Sequence, residues 1–362
     1  MCALLAVWVI PMSVEAVIFL GTDDPDHNTT APDGELAGSG WQYLGKWGVF
    51  LGTVIGPHHF ITARHVGGTI GEAFHYHGKR YVATAYYEVG SADLRIWEVC
   101  ELFPEPYAPL YPSGDEEGKK LVVFGRGTRR GEEVWLDTRQ GREHRGWLLG
   151  GSDNRWRWGE NIVTTIKDIS ESDEEFLPGE LQYLVADFDR DGDADEAHLS
   201  AGDSGGAVFI KSEGRWALAG VNFGTEGPFN TIPDGDGFFG ALFDVGGFYV
   251  EHNDEWVYLR DRQKDIASAF FATRISNYLD GIQDVLNGVA EPEARQPAVW
   301  FSRELGGQYE PEVNQETRES SQTIVLPLGE GMRFYRLVGC VEYVVEDFTL
   351  QGETLILHYR LR

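Results

Sequence analysis

The sequence predicts an all-β chain that carries one helical stretch and ends in a second, smaller β-rich segment. Its 362 residues include 45 glycines, and short apolar runs alternate with turn residues over most of the length. Runs of this kind are typical of antiparallel strands. Between residues 255 and 287 the apolar residues recur at spacings of three and four, which predicts a helix ending at Asn287-Gly288. After Pro292 short alternating runs return, and they predict a β module of about 70 residues whose role the sequence does not indicate.

Charge and cysteine content restrict the class of protein. The chain has 58 acidic and 30 basic residues and a formal net charge of −28. This argues against nucleic acid or an anionic membrane as partner, because phosphate binding needs a basic face. Three cysteines occur, namely Cys2, Cys100 and Cys340. Spacing alone cannot show proximity, so a bridge between Cys100 and Cys340 remains an open alternative to two unpaired thiols.

Residues 1–16 have the pattern of a secretory signal. The apolar stretch from Ala3 to Ile10 is too short to span a bilayer, and Val14 and Ala16 fit the small-residue pattern before a cleavage site. The segment lacks a basic residue near its start, and a buried first strand is the alternative. No other window is long and apolar enough for a membrane helix. We therefore expect a secreted or periplasmic protein without a membrane span in its mature chain; its oligomeric state is not indicated.

One glycine-rich string, SAGDSGGAV from Ser200 to Val208, suits the presentation of a nucleophile. Gly202 can adopt a backbone conformation closed to residues with a Cβ, so that the N–H groups of Gly202 and Ser204 could point into one hollow. Such a hollow stabilises the negative oxygen of an acyl-transfer intermediate. The alternative is an ordinary glycine-rich turn that happens to contain a serine.

A serine hydroxyl needs a base, and the base needs an orienting partner. Upstream, TARHV places His65 directly after a short β-branched run, and SADLRIW places Asp93 at the start of another. Taken singly, the histidine could be a packed or solvated residue, and the aspartate could be a turn former.

Together, TARHV, SADLRIW and GDSGG resemble the chymotrypsin/trypsin-like serine proteases, over roughly residues 45–250 and in the family's chain order. The resemblance implies that His65 is the general base, Asp93 the orienting acid and Ser204 the nucleophile, with Gly202 and Ser204 forming the oxyanion hole. No cysteine flanks His65 or Ser204, and this resembles a bacterial-type member without the usual disulfides.

The resemblance also implies an architecture of two antiparallel six-stranded β-barrels and a C-terminal helix. We expect a signal peptide at 1–16, an N-terminal segment and first barrel at 17–112, a second barrel with the helix at 113–290, and the β-rich module at 291–362. In animal members a freed apolar N-terminus pairs with the aspartate that matches Asp203. Cleavage after Ala16 would give such a terminus at Val17.

The family's spacing assigns five residues to the substrate pocket. His198 falls at the pocket base, and Asn222, Phe223 and Gly224 match the strand that pairs with substrate backbone. Gly240 matches a wall position where a small residue keeps the pocket open. A histidine at the base favours an acidic or a medium apolar side chain, whereas the neighbouring acidic loop favours cationic substrates. The residue preference at the cleavage site therefore stays open.

An acidic loop precedes the nucleophile string and has the alternation of a calcium-binding loop. The candidate ligands are Asp187, Asp189, Asp191, Asp193 and Asp195. Position twelve is His198 instead of a bidentate glutamate, and a solvated acidic loop is the alternative.

These observations predict a secreted serine endopeptidase that hydrolyses peptide bonds through an acyl-enzyme, acts on protein or peptide substrates and requires no cofactor. One alternative is a catalytically silent binding or adhesion protein on a protease scaffold. An esterase that uses the same triad is another.

Overall fold

The structure, a computed structural model, describes residues 17–139, 141–151, 154–168, 181–252, 255–303, 310–311, 316–318, 323–327, 333–338, 340 and 343–361. The predicted signal segment, 1–16, lies outside these residues. The described chain begins with a short strand, β1 (Ile18–Phe19), and two 3₁₀ turns, Gly34–Leu36 and Trp41–Tyr43.

Six strands form the first barrel: β2 (Leu44–Trp47), β3 (Phe50–Val54), β4 (His59–Ala63), β5 (Ala73–Tyr76), β6 (Lys79–Glu88) and β7 (Leu94–Val99). Their order in the sheet is β6-β5-β2-β3-β4-β7, and β7 pairs with β6, so the sheet closes on itself. A turn separates β2 from β3, and Gly48, at φ +56, allows it.

The second half of the body contains the strands β8 (Lys120–Gly125), β9 (Arg130–Thr138), β10 (Gly141–Leu149), β11 (Arg157–Ile162), β12 (Thr165–Asp168), β13 (Gln182–Asp187), β14 (Ala197–His198), β15 (Ala207–Ser212), β16 (Arg215–Thr225), β17 (Phe229–Asn230), β18 (Gly240–Leu242), β19 (Tyr249–His252), β20 (Glu255–Tyr258) and β21 (Ala269–Arg274). The barrel sheet runs β11-β8-β15-β16-β21-β13-β12. Its two outer members, β11 and β12, are consecutive in the chain and are separated by only Val163 and Thr164. They act as one bent strand that pairs with β8 on one side and β13 on the other, so this sheet also closes with six strands.

A 3₁₀ turn, Ser276–Tyr278, leads into the helix α1 (Leu279–Leu286). The helix ends where the sequence predicts, with Gly288 at φ +69, but the predicted start near residue 255 is wrong. The upstream residues form β20 and β21 instead. β21 pairs with β13 and β16 and buries Phe270, because a sixth strand is needed to close the barrel.

Beyond the helix lie β22 (Ala294–Arg295), β23 (Ala298–Ser302), β24 (Glu310–Pro311), β25 (Glu316–Arg318), β26 (Thr323–Pro327), β27 (Phe334–Val338), β28 (Tyr343–Gln351) and β29 (Thr354–Leu361). β22 pairs with β6 of the first barrel, and Cys100 forms a disulfide with Cys340, their Cα atoms 4.7 Å apart. The pairing that the sequence left open is therefore made, and it ties the module to the first barrel. The predicted fold class, two antiparallel barrels with a C-terminal helix and a β-rich module, is confirmed.

One apolar core extends through both barrels. Ile61 and Leu94 of the first barrel share a buried cluster with Phe124 and Phe209 of the second, and Ile282 of the helix joins it. The ends of β4, β7 and β15 approach each other along this shared core, and the predicted site residues lie at those ends.

Candidate active site

His65 and Asp93 come together because their strands are paired neighbours. Ala63, the last residue of β4, is the register partner of Leu94, the first residue of β7, so the residues just beyond them lie side by side. His65 Nδ1 is 2.6 Å from Asp93 Oδ2, and the His65 backbone N–H donates to Asp93 Oδ1 at 2.8 Å. Since an ionised carboxylate only accepts, the proton lies on Nδ1 and Nε2 is left with its lone pair.

The pair has one buried and one accessible partner. Asp93 is 7% exposed, and the Arg64 backbone N–H donates to its carbonyl oxygen, whereas the His65 side chain is 40% exposed. Phe223 of the second barrel packs edge-on against the His65 ring with centroids 5.7 Å apart, and it contacts Tyr183 at 4.7 Å. The imidazole therefore lies where the two barrels meet. Burial, with a smaller contribution from Asp93, raises the pKa of the Tyr183 phenol to about 12.

The turn that contains the predicted nucleophile, residues 200–206 and called the nucleophile turn below, is organised by the carboxylate of Asp203. Asp203 Oδ1 accepts from the Gly127 N–H at 2.6 Å. Its Oδ2 accepts from the N–H and hydroxyl of Ser200 at 2.7 and 2.8 Å and from the Val17 N–H at 3.3 Å. Burial raises the pKa of this carboxyl to about 6, although the four hydrogen bonds oppose that change. A buried acid with four donors holds three distant chain segments together.

Two glycines in the turn have the left-handed backbone conformation that favours glycine. Gly202 has φ +94 and Gly205 has φ +74. Among the described residues, the amides of Gly202 and Ser204 have no hydrogen-bond acceptor, so both N–H groups remain available to a ligand.

Ser204 is half-buried beside the first barrel. The N–H of the next residue, Gly205, donates to the Asn222 carbonyl at 3.0 Å, and a Cβ at Gly205 would lie 2.7 Å from the Leu51 carbonyl and still closer to Thr62. Thr62 is three residues before His65, so the turn lies directly against the strand that leads to the imidazole. The Ser204 hydroxyl and the His65 ring make no hydrogen bond to each other within the described chain.

The five predicted pocket residues have different environments. Phe223 and Gly224 are partly exposed, and a Cβ at Gly224 would meet open space. His198 is completely buried: its Nδ1–H donates to the Leu199 carbonyl at 2.7 Å, its Nε2 is 3.3 Å from Ser268 Oγ, and burial lowers its pKa to about 4. A substrate side chain would reach this imidazole only if the neighbouring residues moved, and its role at the pocket base stays a prediction. Gly240 is buried, and a Cβ there would lie 2.6 Å from the Trp147 carbonyl.

Asn222 supports the nucleophile turn from below. Its Nδ2 donates to the Phe124 carbonyl at 2.8 Å and to the Asp203 carbonyl at 3.0 Å, and the side chain is wholly buried. Sequence reasoning assigned Asn222 to substrate pairing and missed this contact. Ser200 was also missed as a partner of Asp203. The only available signal was its position three residues earlier in the same string.

The acidic loop, residues 187–196, lies against β1 and the following segment. Glu196 and Ala194 accept from the backbone N–H groups of Leu20 and Gly21, and Asp195 bonds to His27. Among the described residues, no three carboxylate, imidazole or thiolate groups lie close enough to share a metal ion. Calcium binding by the five aspartates stays a prediction.

Glu196 is the most perturbed carboxyl of that loop. It is 7% exposed, and its side chain accepts from the Asp189 N–H at 3.0 Å. Burial, together with the negative charges of Asp189, Asp193 and Asp191, raises its pKa to about 7. The loop therefore carries a carboxyl that changes charge near neutral pH.

Comparison with known proteins gives the following picture. No protein-family model matches the sequence, and no curated relative matches it. Among solved structures, the chain is similar to the inactive form of the protease Rv3671c of M. tuberculosis, at 16% identity and a TM-score of 0.39 over 71% of this chain and 98% of that one. The active form of the same protease aligns at 15% identity and a TM-score of 0.40 over 81% of this chain and 97% of that one. Within the described residues, no helix has the length and apolarity needed to cross a bilayer.

Proposed function

We propose that the chain is a serine endopeptidase in which Ser204 attacks the carbonyl carbon of a peptide bond. The observation that carries the proposal is the hydrogen-bonded pair of His65 Nδ1 and Asp93 Oδ2 at 2.6 Å, made at the barrel junction beside the nucleophile turn. A buried carboxylate fixes the tautomer of an accessible imidazole, and Nε2 is thereby directed to act as a base.

In the proposed reaction, His65 Nε2 removes the hydroxyl proton as Ser204 Oγ bonds to the carbonyl carbon. The same proton passes to the leaving amine when the carbon–nitrogen bond breaks, and an acyl-enzyme remains. Water then attacks the ester with His65 again as the base, which releases the acid and restores the hydroxyl. Asp93 stays ionised and stabilises the imidazolium that forms in both steps.

The amides of Gly202 and Ser204 are proposed to hold the oxyanion. Each N–H lacks a protein acceptor in the described chain, and the left-handed conformation of Gly202 supports their convergence. Backbone donors that need no reorganisation are typically worth about 3–4 kcal/mol each in the transition state.

We further propose that the protein acts outside the cytoplasm after removal of residues 1–16. The Val17 N–H lies 3.3 Å from Asp203 Oδ2, so a free ammonium at this position would meet a buried carboxylate. N-terminal sequencing of secreted material would locate the cleavage.

The proposal is tested with a library of internally quenched peptides and paired ester substrates. We expect the mature protein to cleave peptide bonds at internal positions and the S204A variant to cleave none. Hydrolysis of esters without peptides would indicate an esterase. Stable binding of peptides without turnover of either substrate would indicate a binding protein on this scaffold.

A further inference from the structure

Arg126 is a buried cation beside the nucleophile turn. It follows β8 directly and is only 6% exposed. Its Nε donates to the Asn154 carbonyl at 3.1 Å, its Nη2 to Asn154 Oδ1 at 3.2 Å, and its Nη1 to the Gly48 carbonyl at 3.4 Å. All three acceptors are neutral, and no acidic group among the described residues pairs with this guanidinium. Buried charges are normally paired, so we expect an anion to bind to this guanidinium.

Arg145 shows the usual arrangement: it is 1% exposed and pairs with Asp244 and Glu143. The partly buried Arg274 likewise pairs with Glu116 at 2.8 Å. The chain has 58 acidic residues, so carboxylates are plentiful. Burial lowers the pKa of Arg126, and no nearby charge offsets that effect. Guanidinium groups nevertheless stay protonated in proteins.

The surroundings place Arg126 at the candidate active site. The next residue, Gly127, donates to Asp203 Oδ1 at 2.6 Å, and the Thr128 N–H donates to Ser200 Oγ at 2.6 Å, so this segment lies against the nucleophile turn. Gly48 belongs to the turn between β2 and β3 of the first barrel. The guanidinium therefore bridges the two barrels beside the proposed nucleophile.

The sheet order shows which side of the nucleophile Arg126 occupies. β15, which leaves the nucleophile turn, pairs with β16 on one side and β8 on the other. Phe223 and Gly224, which are predicted to pair with substrate backbone, lie on β16, and we take this as the side of the acyl portion. Arg126 follows β8, so it lies on the opposite side, where the leaving portion of the substrate would extend.

We infer that Arg126 forms a carboxylate-binding subsite for the leaving portion of the substrate. A guanidinium has five N–H groups, of which three are used in the bonds above. One N–H on each terminal nitrogen remains, which is the number needed for a bidentate carboxylate. The carboxylate is either an aspartate or glutamate side chain or the free C-terminus of the leaving portion. This inference rests on the proposed endopeptidase function for the direction in which substrate lies.

Equilibrium binding to the S204A chain tests the subsite without turnover. Short peptides that represent the leaving portion are compared in pairs: aspartate against asparagine at each of the first three positions, and a free C-terminus against a C-terminal amide. In one of these pairs, we expect the peptide with the carboxylate to bind at least about tenfold more tightly than the neutral peptide. The position or terminus that shows the effect identifies the source of the carboxylate.

Variants then assign the preference to Arg126. The R126Q change in the S204A chain should reduce the difference in affinity between acidic and neutral peptides to within about twofold. R126K should retain part of this difference, because lysine keeps the positive charge but cannot make two parallel hydrogen bonds to a carboxylate. R64Q is the matched control: Arg64 is next to His65 but pairs with Glu88 at 3.3 Å, and its loss should leave the preference intact. Melting curves identify any variant that fails to fold.

Equal binding of all acidic and neutral peptides by the S204A chain would overturn the inference, as would a preference that survives in folded R126Q. These outcomes are separate from the test of proteolysis. If the S204A chain binds the acidic peptide through Arg126 but the parent chain cleaves no peptide, the subsite is supported and the proposed protease function is contradicted.

Discussion

In the first barrel the imidazole and carboxylate of the site come from neighbouring strands, whereas in the second barrel the nucleophile turn is held by residues far apart in sequence. The pairing of Ala63 with Leu94 is enough to bring His65 and Asp93 together. The turn around Ser204 depends instead on Asp203, which bonds to Val17 and Gly127, and on Asn222 beneath it.

The difference indicates which half of the site can be regulated. The first half is fixed by the register of one sheet and contains no strained backbone at His65 or Asp93. The second half contains a buried carboxyl whose protonation and partners can change. We therefore expect substitutions in the first half to affect chemistry alone, and changes around Asp203 to affect both chemistry and stability.

The largest effects should come from the reacting groups themselves. S204A and H65A should each lower kcat for peptide hydrolysis by about 10⁵–10⁶-fold, and D93N by roughly 10⁴-fold, because serine and histidine act as a unit that the aspartate orients. Steady-state kinetics with one quenched peptide would measure this. S212A, at the far end of β15, serves as the control and should keep full activity. Equal activity of H65A and the parent chain would show that the first barrel contributes no base.

A smaller effect should come from the N-terminal partner of Asp203. When Val17 carries a peptide amide, the pKa of Asp203 is about 6 in the folded chain and 3.8 in the unfolded chain. Asp203 therefore stabilises the folded chain fully below pH 3.8, and this stabilisation is lost as the pH rises through 6. A free Val17 ammonium would favour the ionised carboxyl and lower its pKa. The loss of stability at high pH would then be smaller, and it would change sign only where the ammonium lowers the folded pKa below 3.8.

Denaturation at pH 4.5, 6 and 8 compares a chain that starts at Val17 with one that carries a single extra leading residue. We expect the free energy of unfolding to fall less between pH 4.5 and 8 in the chain that starts at Val17 than in the extended chain, and the D203N versions to lose that difference. The extended chain should also be at least about tenfold less active. Full activity of the extended form would end the idea that the N-terminus controls the turn.

The smallest effect concerns the acidic loop. Glu196 has a folded pKa of about 7 against 4.5 unfolded, so its stabilising contribution is lost as pH rises from 4.5 through 7. E196Q keeps an acceptor for the Asp189 N–H and removes the charge. It should stabilise the chain by about 1–3 kcal/mol at pH 8 and by almost nothing at pH 4.5. Thermal melting at both pH values checks this, with E213Q, a change at an exposed glutamate, as the control. An equal change in stability at both pH values would contradict the burial argument.

Calorimetric titration with calcium on the parent chain would test the loop as a metal site.

Local patterns predicted much of the fold and part of the site. The short apolar runs predicted the strand that ends just before His65 and the strand that begins just after Asp93, and the glycine spacing in GDSGG predicted the conformation of Gly202. The helix start was wrong because Ile266, before β21, and Phe270, within it, are four residues apart as in a helix, and only closure of the barrel decides between the two structures.

Long-range contacts were beyond sequence reasoning. The disulfide of Cys100 with Cys340 joins residues 240 positions apart, and spacing carries no information on such distances. The burial of His198 depends on Ser268 and Phe188, which lie on other segments. The environment of Arg126 likewise follows from Asn154 and Gly48, two acceptors that no motif connects.

The most direct test of the central claim is labelling of the folded mature chain with a fluorophosphonate probe, followed by mass-spectrometric mapping of the modified residue. A phosphonyl group should appear on Ser204 alone, and the labelling rate should fall at least about 10³-fold in H65A. Absence of labelling in a chain that is demonstrably folded, or modification at a different serine, would contradict the claim that the two barrels together activate Ser204.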